Sequence, residues 1–158
     1  IIKNLFAKLA KERTKLMKKI GFIGAGNMAG AIIGGIIKSN LVESQNVIAS
    51  AKTMTNLNKL KDEYNINVTL DAREVVKNSD IVFMAVKPNI FDGVLESVKD
   101  LIGDEKIVVS IAAGKSISSM ENIIGDDKKI IRTMPNTPAL VNEGMSALCP
   151  IKNSKRYF

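Results

Sequence analysis

Short apolar runs recur along most of the chain, and each gives way to a stretch where apolar positions return every three or four residues. The runs read as strands over residues 19–23, 46–50, 66–69, 80–85, 106–111 and 129–133, with 145–148 as a candidate seventh. The stretches between them read as helices: one ending near Lys38, then 55–63, 72–78, 89–99, and one beginning at Ser116. Asp71 stands where its carboxylate can accept from the first free N–H groups of the 72–78 helix, and Pro88 opens the next. Neighbouring parallel strands need crossovers, so this alternation predicts an α/β fold with a mainly parallel sheet and helices on both faces. No internal repeat interrupts the pattern.

The junction between the first strand and first helix carries the clearest chemical signal. Gly24-Ala25-Gly26-Asn27-Met28-Ala29-Gly30 follows a buried strand directly and opens a helix. That is the setting of a dinucleotide-binding fingerprint, so the fold reads as Rossmann-type and doubly wound. Gly24 permits the tight turn, and Gly26 leaves room for a pyrophosphate to approach the backbone. The helix N-terminus then offers N–H groups and a partial positive charge to the phosphates. Ala29 takes the third fingerprint position, which tolerates alanine. Gly30, Gly34 and Gly35 are expected to let the helix pack closely on the sheet.

The end of the second strand bears on which dinucleotide is bound. An NAD site usually places an acid there for the ribose 2′-hydroxyl. This chain reads Ser50-Ala51-Lys52-Thr53, with no acid before Asp62. Hydroxyls and an ammonium suit a 2′-phosphate that a carboxylate would repel, so the residues favour NADP. The other strand-end loops are expected to face the same crevice: Ala85-Val86-Lys87-Pro88, Ala112-Ala113-Gly114 and residues 134–138. Their small residues allow close approach of a nicotinamide ribose, and Lys87 can reach a ribose or phosphate oxygen.

Composition narrows the alternatives. The net charge is +7, but residues 1–16 hold a net +4 and residues 151–158 a net +3, so residues 17–150 are neutral. The chain thus reads as a basic N-terminal extension (1–16), a dinucleotide-binding domain (17–150) and a basic tail (151–158). Ile2, Leu5, Phe6 and Leu9 give the extension an amphipathic spacing, and Met17 looks like a true beginning. A neutral body argues against nucleic acid as a partner. No apolar run reaches the roughly 20 residues of a membrane span, so no membrane partner is expected. The chain has no histidine and a single cysteine, Cys149. No metal site is expected, and Cys149 reads as a small buried hydrophobe near a strand end in a cytoplasmic protein.

Taken together, residues 20–26, Ala85-Val86-Lys87-Pro88, residues 110–114 and residues 132–148, with Met134-Pro135-Asn136-Thr137-Pro138-Ala139 the most specific, resemble the N-terminal domain of the pyrroline-5-carboxylate reductases. The resemblance covers about residues 17–150. It implies NADPH-dependent reduction of 1-pyrroline-5-carboxylate to L-proline in proline biosynthesis. It also implies that Ile23, Gly24, Ala25, Gly26, Asn27 and Met28 meet the pyrophosphate, and that Ser50 and Lys52 lie near the adenosine 2′-phosphate. Residues 85–88 and 112–114 would line the ribose and nicotinamide. Asn136 and Thr137 would border the site of hydride transfer, and no catalytic acid or base is assigned. Ala72 departs from the family, whose members often carry Asn near the start of that helix.

In the family, a helical C-terminal domain forms the dimer and supplies much of the substrate pocket. Residues 151–158 do not resemble its beginning, so that domain is expected to be absent and the chain to be the cofactor-binding half of the enzyme. Two other readings stay open on the sequence. One is a stand-alone NADP-binding module without catalysis. The other is a dehydrogenase of the 6-phosphogluconate or 3-hydroxyisobutyrate type.

Overall fold

The computed structural model describes residues 18–135 and 146–150. Seven strands form one sheet in the order β3-β2-β1-β4-β5-β6-β7. They are β1 (Ile20–Ile23), β2 (Val47–Ser50), β3 (Asn67–Thr69), β4 (Ile81–Met84), β5 (Ile107–Ser110), β6 (Lys129–Pro135) and β7 (Ser146–Pro150). The first six are parallel. β7 pairs antiparallel with β6, with Thr133 opposite Leu148. Among the described residues, five α-helices connect the first six strands: α1 (Asn27–Lys38), α2 (Met54–Tyr64), α3 (Ala72–Lys77), α4 (Pro88–Val98) and α5 (Ile117–Ile124).

The central strands β1 and β4 carry no polar side chain, and β2 and β5 carry only a terminal serine, because helices cover both faces. Ile20 and Phe22 of β1, with Phe83 of β4, Val109 of β5 and Ile131 of β6, form one cluster with Ile32, Ile33 and Ile36 of α1 and Leu57 and Leu60 of α2. Phe22 and Phe83 are direct partners across β1 and β4, and their rings stack 4.7 Å apart. The alternate residues Ile23, Val82, Met84, Val108 and Ile130 face Val75 and Val76 of α3, Phe91 and Leu95 of α4 and Met120 of α5. The result is the expected doubly wound, Rossmann-type sheet.

Local chemistry sets the helix starts. Asp71 Oδ1 accepts from the Arg73 backbone N–H at 2.8 Å, and the Ser116 hydroxyl accepts from that of Ser119 at 3.0 Å. Pro88 occupies the first turn of α4, where a missing N–H costs nothing. Arg73 also joins α3 to the turn after α4. Its guanidinium donates twice to the Asp100 carboxylate, each at 2.7 Å, and once to the Ser97 carbonyl.

Two expectations are corrected. A Cβ at Gly34 would meet the Tyr64 hydroxyl at 2.7 Å, and one at Gly30 would touch Leu60 at 3.4 Å. Gly34 therefore lets α1 pack against α2, not against the sheet, whereas Gly30 has room for a Cβ beside α2 and Gly35 faces open space among the described residues. Cys149 is exposed, because β7 is the last strand of the sheet. The N-terminal extension and basic tail lie outside the described residues.

Candidate cofactor site

The chain runs from β1 outward to β2 and β3, then returns to place β4 on the other side of β1. The carboxyl ends of β1 and β4 therefore flank the point where the winding reverses, where open α/β sheets hold their ligands. The glycine turn stands at this point. Gly24 has φ +114°, and a Cβ on it would lie 2.3 Å from the Ala85 carbonyl oxygen. Glycine is thus required there twice, by the backbone and by the β4 loop beside it. The Gly24 N–H donates to the Ser50 carbonyl and the Ala85 N–H to the Ile23 carbonyl, each at 2.8 Å. The three strand-end loops are hydrogen-bonded into one edge.

Gly26 differs from Gly24. Its backbone is extended, at φ −80° and ψ −179°, and a Cβ on it would meet no atom within 4 Å. Neither strain nor packing among the described residues calls for glycine. The space in front of it is free and opens onto the N-terminus of α1. That N-terminus has no side-chain cap and no acidic residue in its first turn, so its N–H groups and dipole face the opening. The geometry suits a phosphate group.

The structure gathers most of the candidate residues on this edge. Gly26 and Asn27 are exposed, Met28 is half-buried, and Ile23 and Ala25 are buried beneath them. Lys87, Pro88, Ala113 and Gly114 are exposed, Ala85 and Val86 are half-buried, and Ala112 is buried. Ser50 and Lys52 part company. Lys52 is exposed, beside the start of α2, whereas Ser50 is only 2% exposed at the end of β2. The ammonium, and not the serine hydroxyl, is the group available to a ligand. Asn136 and Thr137 lie outside the described residues.

Two residues of this edge escaped the sequence reading. The Lys115 ammonium bonds the Asp92 carboxylate at 2.7 Å and sits 5.9 Å from the centre of the Phe91 ring. The pair links the loop after β5 to α4 across 23 positions of sequence. The only local signal is a lysine between Gly114 and the capping Ser116. A separate polar groove, of about 380 Å³ and lined by residues that include Lys19, Gln45, Lys61 and Asn67, lies at the opposite, amino ends of β1, β2 and β3.

Comparison with known proteins agrees with this geometry. The family described as "NADP oxidoreductase coenzyme F420-dependent" matches residues 19–114. The chain belongs to that family. Among curated relatives it is 44% identical over 133 residues to the pyrroline-5-carboxylate reductase of Escherichia coli, covering 84% of this chain and 49% of that protein. It is 40% identical over 137 residues to the enzyme of Methanosarcina acetivorans, covering 87% of this chain and 51% of that protein. A solved pyrroline-5-carboxylate reductase from Coxiella burnetii superposes with a TM-score of 0.83 at 31% identity, over 87% of this chain and 51% of that one. The Plasmodium falciparum enzyme, solved with NADP bound, gives a TM-score of 0.76 at 33% identity, over 86% and 49%. The resemblance seen in the strand-end motifs is thus borne out. The chain spans about half the length of the relatives it matches. Among the described residues, no helix is long and apolar enough to cross a membrane.

Proposed function

We propose that the chain binds NADPH along the carboxyl edge of its sheet and is the cofactor-binding half of a pyrroline-5-carboxylate reductase. The observation that carries this reading is the glycine turn. Gly24 is fixed by its neighbours, whereas Gly26 leaves free the space a pyrophosphate would fill. The relatives' names, and the NADP held by one of them, supply the substrate and cofactor class.

In this reading the backbone N–H groups at the start of α1 hold the pyrophosphate. Lys52 pairs with the adenosine 2′-phosphate, which distinguishes NADPH from NADH. The β4 and β5 loops carry the nicotinamide end, Lys87 reaching its ribose or phosphate oxygens. Asn136 and Thr137 border the reacting atoms. When bound, NADPH supplies the hydride that reduces the ring C=N bond. An imine carbon is already electrophilic, so the protein's contribution is alignment, and a chain without histidine is no obstacle. The substrate, a cytoplasmic setting and a homodimer or larger assembly follow from the same reading of the family.

The test is an assay of NADPH oxidation with 1-pyrroline-5-carboxylate. The 158-residue chain alone is expected to bind NADPH and turn over poorly, since it spans only about half the length of its relatives. Adding the remaining half of the E. coli enzyme is expected to raise turnover. Rapid turnover by the chain alone would show that its own residues complete the substrate pocket. NADPH binding with no turnover under either condition would favour a binding module.

A further inference from the structure

We propose that Lys115 is a positioning residue: clamped to Asp92 over the Phe91 ring, it sets the spacing of the β4 and β5 loops on which the nicotinamide end of the dinucleotide rests. The inference rests on the cofactor reading above and adds to it a residue that touches no ligand.

The loop after β5 is anchored at both ends. The Ile111 N–H donates to the Met84 carbonyl at 3.3 Å, and Ser116 caps α5. Between these anchors the loop passes through Gly114, at φ +74°, where a Cβ would meet no atom within 4 Å. Ala113 and Gly114 are exposed among the described residues. The one side-chain tie across to the neighbouring loop's helix, among the described residues, is Lys115 to Asp92. Asp92 lies one turn into α4, the helix that begins at Pro88, directly after Lys87. Phe91 is fully buried in the core, so the aromatic seat beneath the ammonium is rigid. Lys115's side chain is 20% exposed and Asp92's 56%. The lysine is held and the aspartate is its surface partner.

The Ile111–Met84 bond holds the two loops together at the strand ends, and the Lys115–Asp92 pair on its aromatic seat adds a second tie, from the far end of the β5 loop to the first turns of α4. Adenosine lies toward β2 and β3 in this fold type, and nicotinamide toward β4 and β5. The clamp should therefore matter for one half of the ligand and not the other. A merely structural ion pair would not divide the ligand in this way.

The experiment titrates the full chain with NADPH and with adenosine 2′,5′-bisphosphate, which lacks the nicotinamide half. Lys115→Met keeps the stem over Phe91 and removes the charge, and Asp92→Asn removes its partner. Each is expected to weaken NADPH about three- to fivefold, the size of a partly exposed ion pair, and to leave the bisphosphate unchanged. The exchange Asp92→Lys with Lys115→Asp is expected to recover part of the loss. Circular dichroism checks that each variant is folded. Equal weakening of both ligands, or of neither, overturns the positioning role. A wild-type chain that binds neither ligand overturns the cofactor reading itself.

Discussion

Gly24 and Gly26 lie two residues apart in one turn, yet they should respond in opposite ways to a side chain. At Gly24, φ +114° is a conformation other residues adopt at a cost of about 1–3 kcal/mol. A methyl group there would also lie 2.3 Å from the Ala85 carbonyl oxygen, a backbone atom that cannot swing aside. Relieving that overlap adds a cost of about 1–3 kcal/mol. Gly24→Ala should therefore lose about 2–6 kcal/mol, which at about 2–4 °C per kcal/mol for a domain of this size lowers the melting midpoint by roughly 4–24 °C. At Gly26 the backbone is already extended and the added atoms meet nothing. Loss of a favoured cap residue, up to about 1 kcal/mol, is opposed by reduced freedom of the unfolded chain, about 0.4–1 kcal/mol. Gly26→Val should leave the midpoint within about 2 °C. Its branched side chain would still fill the space before the α1 N-terminus. Losing two charge-assisted hydrogen bonds at about 1.5 kcal/mol each weakens NADPH binding by about 100-fold. Thermal melts by circular dichroism and fluorescence titration read the two effects separately. If Gly26→Val binds NADPH normally, the turn is not the phosphate site. If it unfolds as Gly24→Ala does, the space in front of it is not free.

Other consequences are more local. Lys52→Glu exchanges an exposed cation for an anion beside α2 and should weaken NADPH about tenfold while sparing NADH; paired titrations with the two cofactors check it, and equal losses would remove Lys52 from the 2′-phosphate site. Hydrogen bonds from Arg73 hold the Asp100 carboxyl below the usual carboxylate range. The stabilisation from this pair is therefore complete above the ordinary Asp pKa of about 4 and is lost as pH falls through the lower folded value. Asp100→Asn should destabilise the chain at pH 7 and do so progressively less below pH 4, as followed by melting midpoints. A difference that stays constant with pH would mean that the pair contributes nothing electrostatic.

Much of this architecture was legible because its causes are local. β1, β2, β4 and β5 are apolar at successive positions because both faces of the sheet are covered, and Asp71, Pro88 and Ser116 mark helix starts by their own chemistry. The glycine turn was readable for the same reason, since a strand, a turn and a helix follow one another directly. What the sequence left open depends on distant partners. Nothing near Gly34 in sequence announces that Tyr64 will lie against it, because the contact is made only when α2 folds back onto α1. The antiparallel pairing of β7 fixes Cys149 at the sheet edge, where a hydropathy pattern alone suggested burial. Ser50 and Lys52 look equally suited to a phosphate in sequence, but strand alternation and packing bury the first and leave the second in solvent. The Asp92–Lys115 tie crosses two elements and has almost no sequence signature.

The central claim is that NADPH lies along the carboxyl edge of the sheet, across the point where its winding reverses. Backbone amide chemical shifts of the labelled chain, recorded through an NADPH titration, test it residue by residue. The largest changes are predicted at residues 24–28, 52–54, 85–88 and 112–115, with the amino ends of the strands unmoved. Shifts concentrated instead around Lys19, Gln45, Lys61 and Asn67, in the groove at the opposite edge, would contradict it.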